Sequence, residues 1–105
     1  MSKYGAKKVQ IDGITFDSKR EAARYSELRL LERAGEISEL ELQKRFELIP
    51  KQGKERPVYY TADFVYVDNA TGEKVVEDVK GYRVRDYPIR RKLMLWVHGI
   101  TIREV

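Results

Sequence analysis

The 105 residues, 42% of them hydrophobic, suffice for one domain core and not for two. Without cysteine the chain can form neither a disulfide framework nor a thiolate metal site, and no apolar run approaches the roughly 20 residues that span a bilayer. A net charge of +4, with 36% charged residues, favours an anionic partner without naming one, and the positive side chains gather at residues 3–8, 51–56 and 83–92.

Residues 1–8 read as a loose basic arm, ahead of one domain over residues 9–105. The arm lacks the apolar stretch of a secretory signal, so a cytoplasmic protein with no membrane partner is the default expectation. Val9-Gln10-Ile11 and Ile14-Thr15-Phe16 flank Asp12-Gly13, which predicts two short strands around an Asp-Gly turn. Asp17 or Ser18 then caps a helix over residues 18–34 that stops at Gly35. Ala22, Tyr25, Leu28 and Leu31 recur at helical spacing and predict its buried stripe. Glu21 lies on that same stripe, an odd place for a carboxylate.

From Glu39 the period becomes two. Leu40, Leu42, Phe46 and Leu48 alternate along a half-buried strand that ends at Pro50. A basic turn over residues 51–57 leads into a strand over residues 58–68, rich in β-branched and aromatic side chains. A hairpin loop at residues 68–72 precedes a third strand over residues 73–80, ended by Gly81. After a basic connection, Pro88 fits the first turn of a second helix with Ile89, Leu93, Trp96 and Val97 as its apolar face and Gly99 as its stop. Residues 100–105 form a last short strand. Helix, three-stranded antiparallel meander, helix and parallel fourth strand make an α+β or α/β fold.

Three ionisable residues interrupt strands that otherwise look buried: Asp63, Asp78 and Lys80. Strand side chains alternate, so Asp78 and Lys80 share a face while Glu77 points to the other, or becomes an alternative ligand if the strand carries a bulge. The hairpin makes the Asp63 strand a neighbour of that face. Two carboxylates and an ammonium on one sheet face are costly to desolvate unless they are paired or bind a metal. Oxygen ligands suit Mg²⁺ or Mn²⁺, which would acidify a water and offset charge on a phosphodiester, with Lys80 acting on the water or on the attacked phosphate.

This arrangement resembles the PD-(D/E)XK nuclease superfamily, whose core has the same order of elements. Asp63 matches the first motif aspartate, with Ala62 in place of the usual proline, and Asp78-Val79-Lys80 matches the (D/E)-x-K motif. Glu21 matches a helix glutamate of many members, archaeal-type Holliday junction resolvases included. More narrowly, Phe16-Asp17-Ser18-Lys19-Arg20-Glu21, the strand over residues 60–66, residues 77–81 and residues 90–94 resemble a family of small phage-encoded domains placed in that superfamily. The resemblance implies a Mg²⁺- or Mn²⁺-dependent DNA endonuclease, acting in the host cytoplasm if phage-encoded. Glu21, Asp63 and Asp78 are then metal ligands, and Lys80 joins them as a catalytic residue.

Non-specific cleavage and a structure-selective activity such as junction resolution are both open, on duplex, branched or single-stranded DNA. So small a domain leaves little surface for base readout, which disfavours sequence-specific restriction. A symmetric homodimer would supply two active sites for paired cuts. A non-catalytic DNA-binding module on the same fold is the alternative, although a dead site has no reason to keep a costly charge trio. Lys51, Lys54, Arg56, Arg83, Arg85, Arg90 and Arg91 are candidate phosphate contacts, each worth part of a salt-dependent affinity. Tyr59, Tyr60, Tyr66 and Trp96 read as core rather than base-stacking platforms, and His98 as a charge at a helix C-terminus.

Overall fold

Residues 7–79 and 85–105 are described by a computed structural model of the chain. Most of the expected basic arm, Lys80, the Gly81 stop and Arg83 lie outside the described residues.

The Asp-Gly turn forms as its residue types require. Asp12 and Gly13 both have positive φ, 53° and 76°, between antiparallel strands β1 (Val9–Ile11) and β2 (Ile14–Phe16). Helix α1 (Lys19–Arg33) starts at Ser18, whose Oγ accepts from the Glu21 amide at 3.1 Å. Ala22, Tyr25 and Leu28 are buried on its inner stripe, and Leu31 is half-buried. The hairpin is tied to the helix by Tyr25, whose hydroxyl donates to Asp12 Oδ2 at 2.9 Å and whose ring lies 5.0 Å from that of Phe16.

Strands β3 (Ile37–Ile49), β4 (Val58–Asp68), β5 (Lys74–Asp78) and β6 (Arg103–Glu104) form one sheet in that order. The first three pair antiparallel, and β6 returns parallel to β5 after helix α2 (Tyr87–His98). The chain is thus a mixed α+β protein. No helix among the described residues is long and apolar enough to cross a membrane. Strand β3 begins two residues before the alternation that starts at Glu39, because Ile37 is buried in the α1 core.

Each face of the sheet carries its own core. Phe64, Tyr66 and Val75 pack with Ala22, Tyr25 and Leu28 of α1, while Tyr60, Ala62, Val65 and Val76 pack with Tyr87 and Met94 of α2. On β4, Tyr60 and Ala62 therefore face α2, yet Phe64 and Tyr66 face α1. On β3, Leu40 and Leu42 likewise face α1, yet Phe46 and Leu48 face α2. Residues two apart share a face in a regular strand, so both strands must exchange faces between these pairs. The exchange occurs at Gln43, held at φ 53°, and at Asp63 across from it. Both are absent from the ladder between Leu42↔Phe64 and Lys44↔Ala62.

Helix α2 departs from expectation. Tyr87 and Met94 are buried, whereas Ile89 is 60%, Trp96 84% and Val97 45% exposed, and Leu93 is only partly buried. Two apolar stripes run along this helix, Tyr87–Met94 and Ile89–Trp96, each seven residues apart, and the sheet can take only one. Polar contacts select the first. The Tyr87 hydroxyl donates to Glu104 Oε2 at 2.8 Å, and Arg91 Nη1 lies 3.3 Å from the same oxygen. At the other end His98 Nε2 lies 2.7 Å from the Glu47 carbonyl oxygen, and the ring meets Phe46 edge-on. Gly99, at φ 69°, then turns Ile100 and Ile102 back onto the sheet. Trp96 is consequently no core residue, while Tyr60 and Tyr66 are buried and Tyr59 is half-buried.

Candidate functional site

The face exchange on β4 sets Asp63 free of the ladder and puts its side chain to other use. Its Oδ2 accepts from the Val79 backbone amide at 2.8 Å, and its Oδ1 from Gln43 Nε2 at 3.2 Å. The β4–β5 ladder ends at Phe64↔Glu77, and the next step of that register sets Asp63 opposite Asp78. Asp63 therefore substitutes a side-chain acceptor for the missing backbone one, and so holds the two strand ends together.

Glu21 comes to this point from the first turn of α1. Burial, then the adjacent Asp63 carboxylate to which it is hydrogen-bonded, push the Glu21 carboxyl up to about 7. Between pH 4.5 and about 7 the folded chain holds a proton that the unfolded chain has released. Stability must then fall as pH rises through that window, because proton loss leaves two facing carboxylates. Glu21→Gln removes the effect. At pH 8 in EDTA the variant should be more stable than the parent by about 1 kcal/mol, a value discounted from the full shift because the side chain is only half-buried. At pH 4 the two chains should match. Urea unfolding at both pH values checks this, and an equal gap at pH 4 and pH 8 contradicts the Glu21–Asp63 juxtaposition.

Asp78 occupies the end of β5 on the α2 face. Its Oδ1 accepts from the Tyr60 hydroxyl at 3.0 Å, and its carbonyl from the Val105 amide at 3.0 Å. Burial, then the Asp78 charge, hold Tyr60 well above the ordinary phenol range, so it remains a donor. Across the parallel ladder Asp78 pairs with Glu104, itself held by Tyr87 and Arg91.

The residues anticipated from the sequence are thus brought together in part. Glu21 and Asp63 are in contact, and Asp78 stands on the adjacent strand end with its carboxylate turned to Tyr60. Among the described residues no three His, Cys, Asp or Glu side chains make a ready-formed metal cage. The donor set nonetheless fits a hard divalent cation. Glu21 and Asp63 are carboxylates that repel each other once both ionise, and a cation between them would relieve this. Glu77 is not in this set. It is fully buried on the α1 face, with Arg24 and Tyr66 as partners.

The candidate phosphate contacts divide. Lys51, Lys54, Arg56 and Arg85 are exposed. Arg90 instead binds Asp86 at 2.8 Å and donates to the Tyr59 carbonyl, and Arg91 is engaged by Glu104. Both side chains thus also have partners within the fold, Arg90 at the start of α2 and on β4, Arg91 on β6.

The sequence assigns no role to Gln43 or Glu104, and to Tyr60 only a place in the core. A glutamine with positive φ leaves no sequence signature, since its side chain disfavours that conformation. Tyr60 could be read as core because it is core, and its hydroxyl partner only becomes visible in the fold. Glu104 sits in a two-residue strand, too short to show a pattern.

Residues 1–99 match the family described as "Protein of unknown function (DUF1064)", and the chain belongs to that family. No curated protein and no solved structure matches it.

Proposed function

We propose that this chain is a divalent-metal-dependent DNA endonuclease of the PD-(D/E)XK type. The observation that carries the proposal is the meeting of Glu21 with Asp63 at the β4 face exchange, one register step from Asp78. Further support comes from the element order, a helix, three antiparallel strands, a helix and a parallel strand, which agrees with the core of that superfamily. The motif Asp78-Val79-Lys80 supplies the charges such chemistry uses.

A Mg²⁺ or Mn²⁺ ion, when bound, supplies charge neutralisation at the phosphodiester and lowers the pKa of a water. Gln43 and the Val79 amide fix the Asp63 carboxylate, which would hold the ion together with Glu21. Glu21 must shed its proton before it can act as a ligand, so activity should rise with pH through the region near 7. Tyr60 steadies Asp78 by donating to its Oδ1. Lys80 is the residue of the motif that can hold or move a proton at the attacking water, or stabilise the attacked phosphate.

The test is cleavage of end-labelled linear duplex, single strands, RNA and a four-way junction at equal nucleotide concentration with Mg²⁺ or Mn²⁺. Cleavage of linear duplex DNA is expected. Preferential paired cuts in the junction would instead identify a resolvase, and binding to any of these without cleavage in either metal would contradict the proposal.

A further inference from the structure

Behind the candidate site lies a buried polar network that its chemistry does not use. The fully buried Glu77 carboxylate accepts from Arg24 Nε at 2.9 Å and from Arg24 Nη2 at 2.6 Å, a bidentate pair, and also from the Tyr66 hydroxyl. Arg103 Nη1 donates in turn to that hydroxyl at 3.3 Å. Four elements are tied at one point: α1, β4, β5 and β6. Arg24 is one turn beyond Glu21 on α1, and Glu77 directly precedes Asp78 on β5. The network therefore joins the two elements that carry Glu21 and Asp78, on the far side of the sheet from the Asp78 carboxylate.

Such a network is an expensive way to fill space. Burying two charges carries a desolvation cost, and apolar side chains of similar volume would often be as stable or more so. What a bidentate guanidinium–carboxylate pair adds is geometry, because the fork fits in one orientation only. Helix α1 needs such a fix. Only Ala22, Tyr25 and Leu28 are fully buried along its 15 residues. Beyond the ion pair the helix and sheet part around a cavity of about 500 Å³, lined by Arg24, Leu31, Ile37, Tyr66, Asn69 and Arg103. Of the α1 side chains on that side, Leu31 packs against the core only in part, so the polar fork adds a fix in orientation that apolar packing there supplies weakly.

We propose that Arg24, Glu77 and Tyr66 form a clamp that sets the position of α1 on the sheet, making Arg24 and Glu77 positioning residues that hold Glu21 against Asp63 and level with Asp78. The clamp stands on geometry alone; its consequence for catalysis rests on the nuclease reading of the site. Single removal of Arg24 strands a buried charge and destabilises the chain, which any structural role would do. The informative variant is the double Arg24→Met/Glu77→Leu, in which both charges become apolar.

The test compares parent, double variant and Arg24→Lys by urea unfolding, by amide NMR with relaxation dispersion on α1, and by Mn²⁺ binding to the metal-free protein. The double variant, carrying Tyr66→Phe as well so that no buried hydroxyl loses its acceptor, should keep the parent urea midpoint or exceed it, while its α1 amides shift and develop exchange broadening and its Mn²⁺ affinity falls tenfold or more. Arg24→Lys keeps the charge but not the fork, and should show the same helix mobility to a smaller degree. If the double variant fails to fold, Arg24→Lys carries the test by the same spectra. Parent-like α1 spectra in every folded variant would overturn the clamp. Should the parent itself bind no Mn²⁺ and cut no DNA, the nuclease reading fails, and the α1 spectra still decide the clamp.

Discussion

Asp63→Asn is expected to lower DNA cleavage by about a thousandfold while leaving the fold intact, the scale of loss when one preorganised electrostatic group is removed. The substitution is nearly isosteric. Its carbonyl oxygen can still accept from the Val79 amide, and Gln43 can rotate its own amide to present oxygen to the new NH₂ group. What disappears is the charge facing Glu21, and with it the main reason for that carboxyl to retain a proton besides burial. Stability at pH 8 in EDTA should therefore be no lower than in the parent. The checks are an initial-rate plasmid assay and a urea midpoint on the same preparation. A folded Asp63→Asn chain that cuts at the parent rate removes Asp63 from the active site.

The second large effect is expected at Lys80, two residues after Asp78 in the Asp-x-Lys motif. Lys80→Met keeps most of the side-chain length and its apolar stem but deletes the ammonium. A group that acts on the transition state is seen in rate before affinity. The variant should bind DNA nearly as tightly as the parent and cut about a hundredfold more slowly or worse, a typical loss for one acid–base or electrostatic group. Equal loss of binding and cleavage would make Lys80 a phosphate anchor only. Loss of neither would strip the motif of its catalytic meaning.

Much of the architecture was readable from local chemistry. The Asp12-Gly13 turn, the Ser18 cap and the period change near Glu39 each follow from residue types whose conformational preferences are strong. The site carboxylates could be picked out because a charge inside an apolar strand or stripe needs a reason. Three things were hidden, each for a physical cause. Helix α2 carries two apolar stripes, and periodicity cannot say which one the sheet takes; contacts made by Tyr87, Arg91 and His98 with distant strands decide it. The face exchange at Gln43 and Asp63 is flanked by apolar residues at even positions, Leu40, Leu42, Phe46 and Leu48 on β3 and Tyr60, Ala62, Phe64 and Tyr66 on β4, so apart from Lys44 the alternation runs on while the geometry inverts. Glu77 could be assigned to the face opposite Asp78 by alternation, but its bidentate partner lies 53 residues away on a helix and has no local signal.

Whether Glu21, Asp63 and Asp78 act as one metal-dependent centre is tested most directly by incubating the purified chain with supercoiled plasmid. Mg²⁺, Mn²⁺ and excess EDTA are run side by side at pH 6 and pH 8, with Asp63→Asn as the control for contaminating nuclease. Nicking with either metal that strengthens from pH 6 to pH 8, vanishes in EDTA and is lost in Asp63→Asn is the predicted result. Intact plasmid with both metals at both pH values, or nicking that Asp63→Asn and EDTA leave unchanged, would contradict it.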